Sequence, residues 1–223
     1  MAILQWDKTT EKLYETGTDK TVLFVGLDVG GYDTGVAWNG VIAIPQSPDG
    51  AEPEDLYANN RKYLTMRSAE EFKGTIRAYT YPDEFAECDG SKEVAAGVYL
   101  GQQERKPFGI AYRTLIGNDT QGTDHGYKIH VIYGATAIPS SREYETVNAD
   151  PTAIEFSWDF ETVPEYVEKA GYKPTAYVSI DSTKVDPTKL KALEDTLYGT
   201  ANTEPELPGI NELIALVEGT TTP

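Results

Sequence analysis

An alternation of apolar and polar residues, repeated three times between Phe108 and Thr162, constrains this chain more than any other feature. In Phe108-Gly-Ile-Ala-Tyr-Arg-Thr-Leu-Ile116, the side chains of Phe108, Ile110, Tyr112 and Ile116 fall on one side of a two-residue repeat and Arg113 on the other. Asn118, Asp119, Gly122, Asp124 and Gly126 then supply a turn-compatible loop, and the chain returns through Tyr127-Lys-Ile-His-Val-Ile-Tyr133. The pattern predicts a long hairpin whose loop lies between Ile116 and Tyr127. After turn signals at Pro139-Ser-Ser and Asn148-Ala-Asp-Pro151, a third segment sets Ile154, Phe156, Trp158 and Phe160 against Glu155, Ser157, Asp159 and Glu161. One face requires a core and the other, acidic, requires water. Phe108, Ile110, Tyr112 and the four apolar residues of the third segment are therefore the candidate core face.

The remaining chain fits the same class. The 15 Tyr, 3 Trp and 6 Phe, with 20 Gly and 13 Pro, favour strands and turns over a helical bundle. A length of 223 residues suits a single domain, residues 1–223, with extended arms. Residues 1 to about 20 show no clean period and read as an arm; Thr21-Val-Leu-Phe-Val25 is a short strand. The segment from Pro45 to about Tyr63, with Pro45, Pro48, Asp49, Pro53, Tyr57 and Asn59-Asn60, reads as a long irregular loop. Phe72 to Tyr81 is a strand, Pro82 to Gly90 carries short-helix signals, Val98 to Leu100 is an edge segment, and Ala176 to Ile180 is another strand. Asp186 as cap, Pro187 in the first turn, a Leu190/Leu193/Leu197 stripe and Gly199 as stop predict a helix at the head of a C-terminal helix and arm over about 186–223. Pro208 to Val217 is a second, apolar helical segment.

Chemistry is harder to find. The strand followed by Gly26-Leu-Asp-Val-Gly-Gly-Tyr-Asp-Thr-Gly35 has neither phosphate-loop spacing, and a strand-like segment follows it, so it reads as a turn. His125 and His130 lack the spacing and neighbouring ligands of a metal site. Ser140, Ser141 and Ser182 have no nucleophile-elbow context, and neither Asp28/Asp33 nor Asp119/Asp124 has calcium-loop spacing. The reading is of a non-enzymatic protein without cofactor or metal. Cys88 stands alone, so no internal disulfide forms. The first residues lack the basic and apolar regions of a secretory signal, and no apolar run nears the roughly 20 residues of a membrane span. A soluble protein folding in a reducing cytosol is expected. The formal charge of −17 is spread along the chain and disfavours nucleic-acid binding.

Several runs, in order, resemble the major tail (tail tube) proteins of long-tailed, non-contractile bacteriophages. They are Ala78-Tyr-Thr-Tyr-Pro-Asp-Glu-Phe-Ala-Glu-Cys-Asp89, Phe108-Gly-Ile-Ala-Tyr-Arg-Thr with Gly117-Asn-Asp, Gly126-Tyr-Lys-Ile-His, Pro139-Ser-Ser-Arg-Glu-Tyr, Ile154-Glu-Phe-Ser-Trp-Asp-Phe and Leu193-Glu-Asp-Thr-Leu-Tyr-Gly199. The resemblance implies a mainly β (α+β) fold: a tail-tube-type β-sandwich or barrel with a flanking short helix, a C-terminal helix and long arms. It implies hexameric rings stacked into a virion tube, assembled in the host cytoplasm, through which double-stranded DNA passes without specific binding. Expected partners are further copies and other tail proteins: tape measure, tail terminator and distal tail protein. On this reading Glu155, Asp159 and Glu161 are candidate lumen-facing acids, and Pro45, Pro48, Asp49, Pro53 and Tyr57 belong to a ring-stacking loop. The inner tube of a contractile injection system or tail-like bacteriocin fits the same pattern, and the Tyr and Trp content also fits a carbohydrate-binding or adhesion module.

Overall fold

The computed structural model describes residues 3–9, 11–50, 52–144, 146 and 153–219; the turn expected at Asn148 to Pro151 lies outside these. In chain order the strands begin with β1 Tyr14–Val25, β2 Val36–Ala37, β3 Val41–Ala43, β4 Asp49–Gly50, β5 Pro53–Ala58, β6 Arg61–Arg67, β7 Glu70–Glu71 and β8 Lys73–Ala78. A one-turn helix α1, Phe85–Cys88, precedes β9 Lys92–Ala95 and β10 Val98–Leu100. Then come β11 Phe108–Asn118, β12 Gly122–Ala137, β13 Phe156–Thr162, β14 Tyr177–Asp181 and the helices α2 Pro187–Tyr198 and α3 Ile210–Glu218. The fold is mainly β: a curled antiparallel sheet with short C-terminal helices.

The central hairpin is β11 and β12, and it is longer than the alternation indicates. Pairing continues to Asn118 opposite Gly122, so the loop shrinks to Asp119, Thr120 and Gln121. The reason is Asn118, whose buried side-chain oxygen accepts from the backbone N–H of Thr120 at 3.1 Å and of Gln121 at 2.6 Å. That Asx turn closes the hairpin early, and Gly122, at φ 59°, supplies the left-handed residue.

From this hairpin the sheet runs β2-β1-β11-β12-β13-β8-β3, with β14 also on β12. Its two ends, β2 and β3, are consecutive in the chain, so the short connection through Trp38 and Gly40 draws the sheet round upon itself. Trp38 N–H donates to Thr21 O, and Tyr79 N–H donates to Gly40 O, on the two borders of the seam. At Gly134 strand β12 changes partner. Residues Lys128 to Ile132 of β12 pair with β14, whereas Ala135 to Ala137 pair with β13. Between them Gly134 sits at φ 57°, and a Cβ there would lie 2.7 Å from Val163 O. Gly134→Ala is therefore expected to cost about 2 kcal/mol or more, from the left-handed backbone and the clash together, seen as a lowered midpoint in urea unfolding.

The curl has two cores. Inside it lie Leu23, Trp38, Ile76, Phe85, Phe108, Ile110, Tyr112, Ile132, Trp158 and Phe160, all buried. On the other face of β1, β11, β12 and β14, a second core gathers Phe24, Ala111, Ile129, Val131 and Tyr133 under α2 and α3. Leu190, Leu193 and Leu197 supply the helix side, and Asp186 caps α2 by accepting from Thr188 and Lys189 N–H. Because β11 is buried on both faces from Phe108 to Tyr112, its pattern is only partly two-sided: the helix-facing positions are small, Gly109 and Ala111.

Three sequence readings change. The arm ends sooner than residue 20, because Tyr14 to Thr16 already pair with Gly117 to Leu115 of β11. The expected loop from Pro45 to Tyr63 is largely strand. Val98 to Leu100 is an edge strand, paired with β9 in a small hairpin. Ile154 leaves the core face: it is 39% exposed, since β13 finds a partner only from Phe156, opposite Ala78 at the end of β8. Among the described residues no strand pairing extends beyond that point to hold Ile154 over the core.

Candidate assembly surfaces

The outward face of β13 and β8 carries the acids singled out above. Glu155, just before β13, forms an ion pair with Arg77. Asp159 accepts from the Thr75 hydroxyl at 2.6 Å, and Glu161 stands opposite Lys73 in the register. Lys73 in turn meets Asp49 at 3.2 Å and Glu71 at 3.1 Å, and those contacts raise its pKa. The face is therefore mixed, an acidic strand laid against Lys73, Thr75 and Arg77. These cations were missed as partners, although they stand at alternate positions in Lys73 to Arg77, the signal that would have found them.

The segment from Pro45 to Glu71 divides in two. Pro45 belongs to the curled sheet: its carbonyl accepts from Thr75 N–H at 2.9 Å, and Ser47 N–H donates to Lys73 O at 2.8 Å. Pro48 is exposed beside this stitch. Asp49 lies at the base of a projection, in β4 paired with β7, where the Gly50 N–H and Lys73 hold its carboxyl below the usual range. Pro53 opens the projection itself, the hairpin β5–β6, which carries Tyr57 near its tip.

That hairpin has the local chemistry of a two-residue turn, since Asn59 and Asn60 adopt φ 51° and 60° and Asn tolerates the left-handed region. Asp55 ties its strands, accepting from the Thr65 hydroxyl at 2.7 Å and lying 2.6 Å from Lys62. Every residue of both strands is exposed. Leu56 pairs across the strands with Leu64, and Met66 lies on the same face; Tyr57 and Tyr63 are 71% and 72% exposed. A two-stranded hairpin with this much uncovered apolar surface is marginal in water by itself. The N-terminal arm is similar: Ile3, Leu4 and Trp6 are 90%, 75% and 78% exposed.

Two sheet borders are also open. Among the described residues, Tyr14 to Lys20 of β1 pair only with β11, and β14 pairs only with β12. Cys88 is buried, which pushes its thiol up to about 12. Among the described residues no group of three or more His, Cys, Asp or Glu is placed to hold a metal ion, and no helix is long and apolar enough to cross a membrane. Neither a protein-family model nor a curated protein sequence matches this chain.

Proposed function

We propose that this chain is a structural subunit that assembles into stacked rings forming a tail tube of the bacteriophage kind, a conduit for double-stranded DNA. The observation that carries the reading is the β5–β6 hairpin, which presents Leu56, Leu64, Met66, Tyr57 and Tyr63 to solvent and needs a second copy to cover them. The ordered resemblance from Ala78 to Gly199 and the curled sheet with helices on one face support it. So do the open borders of β1 and β14, because unpaired strand edges join neighbouring copies and are themselves removed by ring closure. The test is electron microscopy of the purified protein with light scattering over a concentration series. Hollow rings or tubes support the reading. A chain that stays monomeric even with an initiator complex added overturns it.

On this proposal the outward face of β13 and β8 lines the lumen. Interleaved charges of both signs, with the acids in excess, keep DNA from adhering, and salt confines their influence to about 8–10 Å. Changing Glu155, Asp159 and Glu161 together to Lys would leave that face with Lys73 and Arg77 and no acid of its own strand. The triple variant is expected to bind duplex DNA in 50 mM salt with a dissociation constant on the order of 10⁻⁵ M, weakening steeply as salt rises, while still forming tubes. Fluorescence anisotropy of labelled DNA measures this. A variant indistinguishable from the parent would remove these residues from the lumen.

A further inference from the structure

A chain of hydrogen bonds crosses from β14 through β12 and β11 to the arm-bearing end of β1. Its centre is His130, only 6% exposed, with Tyr112 stacked on its ring at 4.8 Å and Tyr177 lying nearly parallel at 6.0 Å. Phe72 stacks on the far side of Tyr177 at 4.9 Å, and Gln46 donates to the Tyr112 hydroxyl at 2.7 Å. The Thr114 hydroxyl donates its one proton to Glu15 Oε1 at 2.6 Å. It must therefore accept from His130 Nε2 at 2.8 Å, which places the imidazole proton on Nε2 and leaves Nδ1 to accept from the Tyr177 hydroxyl at 2.7 Å. Glu15 also receives Lys128, which stands opposite Asp181 of β14 in the register. Each of these contacts has a donor and an acceptor when His130 is neutral and Glu15 ionised.

We propose that His130, Thr114 and Glu15 form an acid-sensitive latch fastening the Tyr14–Lys20 half of β1, and with it the N-terminal arm, to the curled sheet. The latch does not depend on tube assembly. A second proton on His130 can enter only at Nδ1. The Tyr177 hydroxyl must then turn its proton away and accept instead, and a positive charge is left between two rings with Lys128 nearby. Among the described residues the acid that offsets it is Glu15, 3.5 Å from Nε2. Lifting the Glu15 end of β1 off the sheet lets water reach the imidazolium.

The pH window follows from the groups themselves. Burial depresses the His130 imidazole below its ordinary value of 6.5, with Glu15 opposing that shift and Lys128 adding to it. The detached state thus takes up the proton first, and the fastening, complete at neutral pH, weakens as pH falls below about 6.5. Burial alone would raise the Glu15 carboxyl, but its bonds from Lys128 and Thr114 outweigh that and hold it below its usual value, so its own contribution is lost only in stronger acid.

The experiment is amide hydrogen exchange of the full-length protein at pH 7.5 and 5.5, expressed as protection factors corrected for the intrinsic pH dependence. Protection of the Tyr14–Lys20 amides is expected to fall by up to about tenfold between the two, while that of α2 holds steady. His130→Gln, which cannot titrate, is expected to abolish the fall. A parent protein with no fall, or a variant that keeps it, overturns the latch. Glu15→Gln serves as the second variant: it is expected to loosen Tyr14–Lys20 already at pH 7.5 with α2 unchanged, and unaltered protection there also overturns the latch.

Discussion

Replacing residues 51–69 by Asn-Gly is expected to yield a folded, soluble subunit that no longer elongates. The design keeps the β4–β7 pair, Asp49 opposite Glu71 and Gly50 opposite Glu70, and closes it with the dipeptide most suited to a two-residue hairpin. Every described residue it removes, 52–69, is exposed, so it buries almost nothing in the isolated chain. The melting temperature should therefore shift by only a few degrees, about the effect of 1 kcal/mol or less. Assembly should be lost altogether, because an apolar hairpin of this size contributes its burial only when a second copy covers it. Light scattering and electron microscopy, against circular dichroism as the check on folding, read both halves. Tubes of normal length from the shortened chain would refute the role of the hairpin. Loss of folding would show that it belongs to the subunit's own stability. The narrower change Leu56→Asp with Leu64→Lys, which leaves the strands paired by an opposite-charge couple, should reproduce the assembly defect without shortening the chain.

The same hairpin shows where the amino-acid sequence is legible and where it is not. Periodicity reports a face only when one side of a strand is buried. That condition holds for β13, where Trp158 and Phe160 are buried and Asp159 and Glu161 exposed, and for β8, where Gly74, Ile76 and Ala78 alternate with Lys73, Thr75 and Arg77. In β5 and β6 both sides are exposed, no alternation is enforced, and Pro53 with Asn59-Asn60 mimics an irregular loop. The start of β1 fails for a related reason. Tyr14 to Asp19 are held by strand pairing and by ion pairs such as Asp19 with Arg113, whose guanidinium reaches both carboxylate oxygens at 2.7 and 2.6 Å. Neither leaves a hydrophobic period. The helix α2 was legible from end to end because its cap, proline, leucine stripe and stop are all local. The latch at His130 was not, since its members lie at residues 15, 114, 128, 130 and 177 and meet only through the register of four strands.

The largest effect on stability is expected at Trp158. Its ring lies 1% exposed at the centre of the inner core, meeting Phe85 at 5.2 Å, Tyr81 at 5.4 Å, and Trp38 and Phe156 each at 5.6 Å. These contacts draw together β13, the seam connection at Trp38 and the turn that carries α1, so one side chain spans the closure of the curl. Trp158→Ala removes the ring while its neighbours are fixed by separate strands that cannot collapse inward, and a loss of about 3–5 kcal/mol follows. That is comparable with the whole stability of many domains, and the variant should be partly unfolded at 37 °C. The indole N–H is the discriminating detail. Trp158 Nε1 is buried without a hydrogen-bond partner among the described residues, whereas Trp38 Nε1 donates to Thr80 O at 2.8 Å. Trp158→Phe therefore keeps an aromatic ring and sheds an unsatisfied donor, and should cost no more than about half as much as Trp158→Ala. Trp38→Phe sheds a bond that is made, so it should cost more than Trp158→Phe although the volume change is identical. Urea denaturation of the three variants measures the order. Equal costs for the two phenylalanine variants would mean that volume alone governs this core and that the hydrogen bond across the seam contributes nothing to closing it.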